Sequence, residues 1–228
     1  MGVRLIFQLN QEVLMTWGIR LAVVLLCLPI HEFAHGYAAY KLGDTTAARQ
    51  GRLTLNPIRH LDPLGSAVLL LAGFGWAKPV PVDTRVFRNP RRDMAIVAAA
   101  GPLANIIMAT VMMCIAKIIM HTFSMGTPLH SQGLVWIIEQ MLIINLVLAV
   151  FNLLPIPPLD GSKLFGAVLP ERAYFGMMRY ERVVMILLFV LVFTGRLTGV
   201  IFTLSRHMFA ALDFLTSPID ILMRALVG

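Results

Sequence analysis

Residues 13–42 read VLMTWGIRLAVVLLCLPIHEFAHGYAAYKL. From Trp17 to Ile30 the stretch is apolar apart from Arg20, and Gly43-Asp44 then ends it. A run of this length can cross the roughly 30 Å of bilayer hydrocarbon as one helix. It does not read as a cleavable leader. It is too long, charged loop follows it instead of a small-residue cleavage site, and its far end carries His31-Glu32-Phe33-Ala34-His35. Ionisable groups inside an apolar helix are costly, so they mark a functional site. Arg20 is expected to snorkel to the outer interface.

Composition agrees with a membrane solvent. Hydrophobic residues make up 58% of the chain and charged residues 14%, with a mean hydropathy of +0.78. Soluble domains run nearer half apolar and a quarter charged. The net charge of +7 sits in loops, with no basic helix and no basic patch interleaved with aromatics, so nucleic acid is not an expected partner. The positive-inside bias of cytoplasmic loops accounts for it. Cys27 and Cys114 lie in apolar runs without CxxC spacing, so a disulfide framework is not indicated.

The expected fold class is an all-α integral membrane protein, a polytopic bundle of about four to six spans. The chain reads as one membrane-embedded domain over 1–228, with a catalytic core over about 13–165 and C-terminal helices over about 180–228. Spans are expected near 13–42, 94–120, 134–154 and 183–204, while the segment 207–227 either spans or lies along the interface. The apolar run 64–75 is too short to cross, and AKPVPVD after it should be extended, so a short cytoplasmic-side extended or re-entrant hairpin is expected. TLNP at 54–57 suits a short strand or turn. The Arg-rich connections 43–93 and 156–182 should be cytoplasmic, and 121–133 outside. The first and third spans then end together on the inner side.

His31 and His35 are four apart, so both imidazoles lie on one helical face and can grip one Zn²⁺, with Glu32 beside them to take a proton from a water the metal activates. Catalytic zinc keeps three protein ligands and an open position. The third ligand must come from elsewhere. Glu139 lies near the outer end of the third span, about 30 Å from Asp160 if the chain is helical throughout. Glu171 and Glu181 stand in an ordinary charged loop beside Arg172 and Arg182, where solvated pairs are expected. Depth therefore selects Asp160, in NLLPIPPLDG at 152–161. Pro155, Pro157 and Pro158 forbid a regular helix before it.

HEFAH, GPLAN at 101–105 and NLLPIPPLDG resemble the site-2 protease family of intramembrane zinc metalloproteases, in order and in spacing. GRLTLNPIRHLDPLGS and GFGWAKPVPVD resemble its compact prokaryotic members that lack PDZ and CBS domains. The resemblance implies one catalytic zinc held by His31, His35 and Asp160, with Glu32 as general base. It implies that Asn152 lines the site and hydrogen-bonds substrate or a developing oxyanion, and that Asn105 sits near the substrate path. The implied partners are the lipid bilayer and transmembrane segments of substrate proteins. The implied location is the prokaryotic plasma membrane, with the active site toward the cytoplasm.

Three further readings follow from the residues. Cys27 shares a face with His31 and His35, and is either a fourth ligand or an apolar filler. GFGWAKPVPV offers a backbone edge for an unwound substrate by strand addition, through Val80 and Val82. His60 reads as a loop histidine near the mouth of the site. Two other function classes compete with peptide hydrolysis. A metal-ion transporter should carry polar groups through the full depth and paired repeats, and no repeat is found. A non-catalytic membrane adaptor should lack a ligand or the base, and both are present.

Overall fold

The protein is described from a computed structural model. It describes the chain apart from residues 1–12, 14, 73–74, 124–128, 171, 174–175, 177–178 and 228. The tip of the hairpin, the middle of the 121–133 connection and Glu171 therefore lie outside the described residues.

The first span is α1, Met15–Lys41. A wide π turn occupies Val23–Cys27, where Leu28 N–H bonds to Val23 O. The widening falls just before Pro29, which has no N–H and whose ring would press the carbonyl four residues back. The helix stops as the sequence directs. Gly43 adopts φ +99°, its N–H reaches Tyr40 O, and Asp44 N–H reaches Ala39 O. That is the paired closure of a left-handed glycine C-terminus.

Behind α1 come a short turn of helix, α2 (Thr46–Arg49), and a single 3-10 turn, Pro57–Arg59, capped by Asn56. The expected alternative of strand or turn at 54–57 resolves as turn, and no strand occurs among the described residues. Next, α3 spans Pro63–Ala72. Asp62 caps it by accepting Gly65 N–H at 2.7 Å, with Pro63 at the first helical position.

The ten-residue α3 dips into the bundle and does not cross it. Leu69 packs on Val23, Val24, Cys27 and Met141. Arg20 donates to Leu70 O and to Leu71 O. The sequence expects Arg20 to snorkel; the structure adds a partner for it, since its guanidinium satisfies carbonyls at the α3 C-terminus, which have no helical partner. The returning chain runs extended from Gly75 to Asp83. It presses on α3 at Gly65, where a Cβ would overlap Trp76 O. The two described arms of the extended or re-entrant hairpin expected from the sequence lie against each other, and the inbound arm is helical.

The second span, α4, is Pro90–Phe123. Its start is capped reciprocally: Arg92 N–H bonds to Asn89 Oδ1, and Asn89 N–H to Asp93 Oδ2. The third, α5, is Leu129–Leu153. Ala109 and Met113 of α4 interlock with Leu142 and Leu146 of α5, all nearly inaccessible. A short helix, α6 (Asp160–Gly166), follows the proline-rich turn.

The C-terminal part departs from expectation. A continuous span over 183–204 does not form. The chain makes α7 (Glu181–Phe193) and α8 (Thr198–Val227), bent by 82°. Gly195 at φ +71° ends α7, as a left-handed glycine commonly does. Among the described residues, three helices are long and apolar enough to cross a membrane, or four if the bent pair is one span. Large apolar side chains such as Leu26, Leu103, Ile107 and Ile186 face outward, as lipid-facing surface should.

Met208, Leu212 and Thr216 of α8 lie against α4 and α5. Beyond them Lys117 Nζ sits 2.8 Å from Asp213 Oδ1 and 2.6 Å from Asp220 Oδ2, and His121 Nε2 is 2.9 Å from Asp220 Oδ1. Lys117→Met removes the cation that Asp213 and Asp220 share, while His121 stays beside Asp220. Because Asp213 is largely exposed, the substitution should destabilise the fold by only about 1 kcal/mol, read as a slightly lower thermal midpoint in detergent micelles. Lys117 stands about 30 Å along α4 from the level of Val97, so bound zinc should be unaffected.

Candidate metal centre

Three chain segments meet at one depth: the last turns of α1, the first third of α4 and the start of α6. His31 and His35 come from α1, and both are buried. Asp160 is the first residue of α6. The turn before it is non-helical through Pro155–Pro158, as the prolines require. Gly161 closes the turn, because a Cβ there would overlap Leu153 O and Leu154 O.

The three donor atoms converge. His31 Nε2 is 3.2 Å from Asp160 Oδ2, His35 Nε2 is 3.0 Å from the same oxygen, and the two Nε2 atoms are 3.0 Å apart. Four ligands at zinc distances of about 2.0–2.1 Å in a tetrahedron stand about 3.3–3.4 Å from one another. The trio therefore fits a small tetrahedral cation. His35 Nδ1 is 2.7 Å from Val97 O, which directs Nε2 inward, the usual arrangement for a ligating imidazole. Among the described residues this is the one group of three or more His, Cys, Asp or Glu side chains whose donor atoms converge in this way.

Asp160 is poised for such a role. Burial pushes its carboxyl upward, but hydrogen bonds from His31 and His35 outweigh that and hold it well below the usual carboxylate range. Its Oδ1 lies 3.6 Å from Lys163 Nζ, one turn on in α6. Sequence reasoning passed over Lys163; its position three residues after Asp160 in a helix was the available signal.

The centre opens into a cavity of about 420 Å³ lined by Glu32, Asn152, Lys163, Pro79, Val80 and Met94, together with the His and Asp side chains. The opposite wall is backbone. A Cβ at Gly101 would stand 2.6 Å from His31 Cε1 and overlap His35 Nε2. The small-residue stretch 98–101 thus lets α4 close directly on the imidazoles.

Asn152 lines the cavity; its Nδ2 donates to Leu148 O at 3.0 Å, leaving the second amide hydrogen open. Asn105 is fully buried in α4 and does not line the cavity. Cys27 is not among the converging donors. It accepts from Asn145 Nδ2 at 3.4 Å and packs with Val23, Val24 and Leu69. Of its two sequence readings the structure keeps the packing one. Glu139 lies in a different cavity with Lys117 and Asp220, in keeping with the depth argument that set it aside.

The strand-addition reading meets an obstacle. Lys78 N–H already bonds to His60 O, Val80 N–H to Glu32 Oε2 and Asp83 N–H to Asp44 Oδ2, while Pro79 and Pro81 have none to give. Val82 keeps the one main-chain donor between 78 and 83 without such a bond, so this segment lacks the row of free donors that an edge needs. His60, read as a loop histidine, is buried at 1% exposure, with Nε2 2.6 Å from Thr54 O.

The comparisons agree with this centre. The model of Peptidase family M50 matches residues 116–197, a span that includes Asp160 and leaves out the histidine pair. The "Putative zinc metalloprotease YwhC" of Bacillus subtilis (strain 168) is 43% identical over 171 residues, covering 73% of this chain and 78% of that protein. The "Putative zinc metalloprotease Rip2" of Mycolicibacterium smegmatis is 33% identical over 152 residues, covering 64% of this chain and 54% of that one. No solved structure matches the chain. The chain belongs to peptidase family M50, the site-2 protease family of zinc metalloproteases. It is an integral membrane metalloprotease, and its cofactor is zinc.

Gly101→Ala should drive the imidazoles apart. Zinc per chain should fall well below one by elemental analysis, whereas Gly18→Ala, where a Cβ meets open space, should keep the wild-type content.

Proposed function

We propose that this enzyme hydrolyses peptide bonds within or beside transmembrane segments of other membrane proteins, at the cytoplasmic side of a prokaryotic plasma membrane. One observation carries the reading. The convergent His31, His35 and Asp160 donors share a cavity with Glu32, at the ends of helices whose other faces suit lipid. The Arg-rich connections on that side support the cytoplasmic orientation.

In this reading His31, His35 and Asp160 hold the metal. Zinc, when bound, acidifies a water and polarises the scissile carbonyl. Glu32 takes the proton and passes it to the leaving amine, acting first as base and then as acid. Its Oε1 is open for that task, because Oε2 is held by Val80 N–H at 2.9 Å. Asn152 turns its free amide hydrogen toward the substrate carbonyl, the kind of pre-aimed donor that favours developing negative charge. A helical peptide bond is shielded by its own hydrogen bonding, so the substrate has to be extended across the cavity. The cavity is lined by non-helical chain at Pro79, Val80, Val82, Pro158 and Leu159, which suits an extended substrate.

Glu32→Gln keeps the metal ligands and removes the base. It should retain about one zinc per chain and lower the cleavage rate of a model transmembrane substrate by about 10²–10⁴-fold, whereas Asp160→Ala should lose zinc and activity together. Wild-type cleavage by Glu32→Gln would refute the assignment of the base. Binding of zinc without cleavage of any membrane substrate by the wild type would refute the protease reading.

A further inference from the structure

Glu32 is held by the main chain. Oε2 accepts Val80 N–H at 2.9 Å, and no other hydrogen bond to this carboxylate occurs among the described residues. Val80 sits in the extended strap 78–83, which belongs to no sheet and depends on distant groups for its position. Lys78 N–H bonds to His60 O at 2.9 Å, and Asp83 N–H to Asp44 Oδ2 at 2.8 Å. The two carbonyls just before Val80 both accept from one side chain: Arg52 Nη2 stands 2.7 Å from Lys78 O and 3.2 Å from Pro79 O. Arg52 is 7% exposed and does not line the cavity.

We propose that Arg52 is a positioning residue for the proteolysis: by clamping the carbonyls of Lys78 and Pro79 it places Val80 N–H, and Val80 N–H sets the direction in which Glu32 presents Oε1. The inference rests on Glu32 being the base. The physical need is plain. A glutamate has three rotatable side-chain bonds, and its terminal torsion is broad. A base displaced by about 1 Å can cost about 10²-fold in rate. Pro79 and Pro81 stiffen the strap without setting its height over the cavity, because they have no N–H to anchor. A buried guanidinium supplies charge-assisted bonds to two successive carbonyls. A lysine ammonium is a single point donor and holds that pair less well. Gly36 completes the seat, since a Cβ there would stand 3.1 Å from Val80 Cγ1.

The test compares the full chain in detergent micelles with Arg52→Gln, Arg52→Lys, Gly36→Ala, Glu32→Asp and the double variant Arg52→Gln/Glu32→Asp. Zinc content, thermal midpoint, kcat and KM on a transmembrane substrate are measured for each. Arg52→Gln should keep its zinc and lose about 10- to 100-fold in kcat, with KM within about twofold of wild type. Arg52→Lys should fall between. Gly36→Ala leaves Arg52 in place and pushes on Val80, so it should reproduce the kcat loss. Glu32→Asp is one methylene short of Val80, so adding Arg52→Gln to it should cost less than about twofold more.

Wild-type kcat in Arg52→Gln overturns the proposal, and so do multiplying losses in the double variant. Loss of zinc and of the folded state in both Arg52 variants, with Gly36→Ala fully active, assigns Arg52 to folding alone and also overturns it. Glu32→Gln separates the two claims. If it cleaves normally, the base assignment fails; if it is inactive while Arg52→Gln is normal, only the positioning role fails.

Discussion

A carboxylate lodged between two imidazoles, away from bulk water, is costly unless each polar atom has a partner. Asp160 meets that requirement with His31 and His35 on one oxygen and Lys163 near the other. The contact obliges three distant pieces of chain to end at the same depth. α1 must bring its histidines down to its last three turns. The chain after α5 must stop being helical, and α6 must begin with its carboxylate. Gly101 must be bare so that α4 can close the back. The helix ends, the proline turn and the small-residue face all follow from one junction of charges.

The junction itself was legible in the sequence. A four-residue spacing fixes which helical face both histidines occupy, and depth counting at 1.5 Å per residue separates Asp160 from Glu139. The glycine stop at Gly43 and the irregular turn at Pro155–Pro158 were legible for equally local reasons. Other features were not, because their causes are far away along the chain. Arg20 gives no sign in the sequence of its partners, because the carbonyls it meets belong to α3, some fifty residues on. His60 and Arg52 look like loop residues because their partners are main-chain atoms, which carry no side-chain signature. The elbow at Gly195 had a local signal, but the strong apolarity on both sides of it hid the break. The same distance problem hid the occupied donors of the strap, which from sequence alone is an extended edge.

The polar loop between α1 and α4 reads as a connector, yet its side chains do structural work. Asp44 is 1% exposed and accepts from both Thr46 N–H and Asp83 N–H, so the end of α1 and the end of the strap are tied to one carboxylate. His60 and Arg52 hold the strap's other end. A segment without regular structure is thereby fixed at several points, and fixed points are what an irregular backbone near a membrane requires.

The bare backbone at Gly101 also decides from where the centre can be reached. With α4 pressed on the imidazoles, no molecule can come from behind them. Pro79, Val80 and Val82 of the strap line the cavity, as do Pro158 and Leu159 just ahead of Asp160. The way to the metal ligands therefore passes main chain that prolines keep out of helix. Access to the centre is decided by backbone on every side: bare at Gly101, and irregular where the strap and the proline turn reach the cavity.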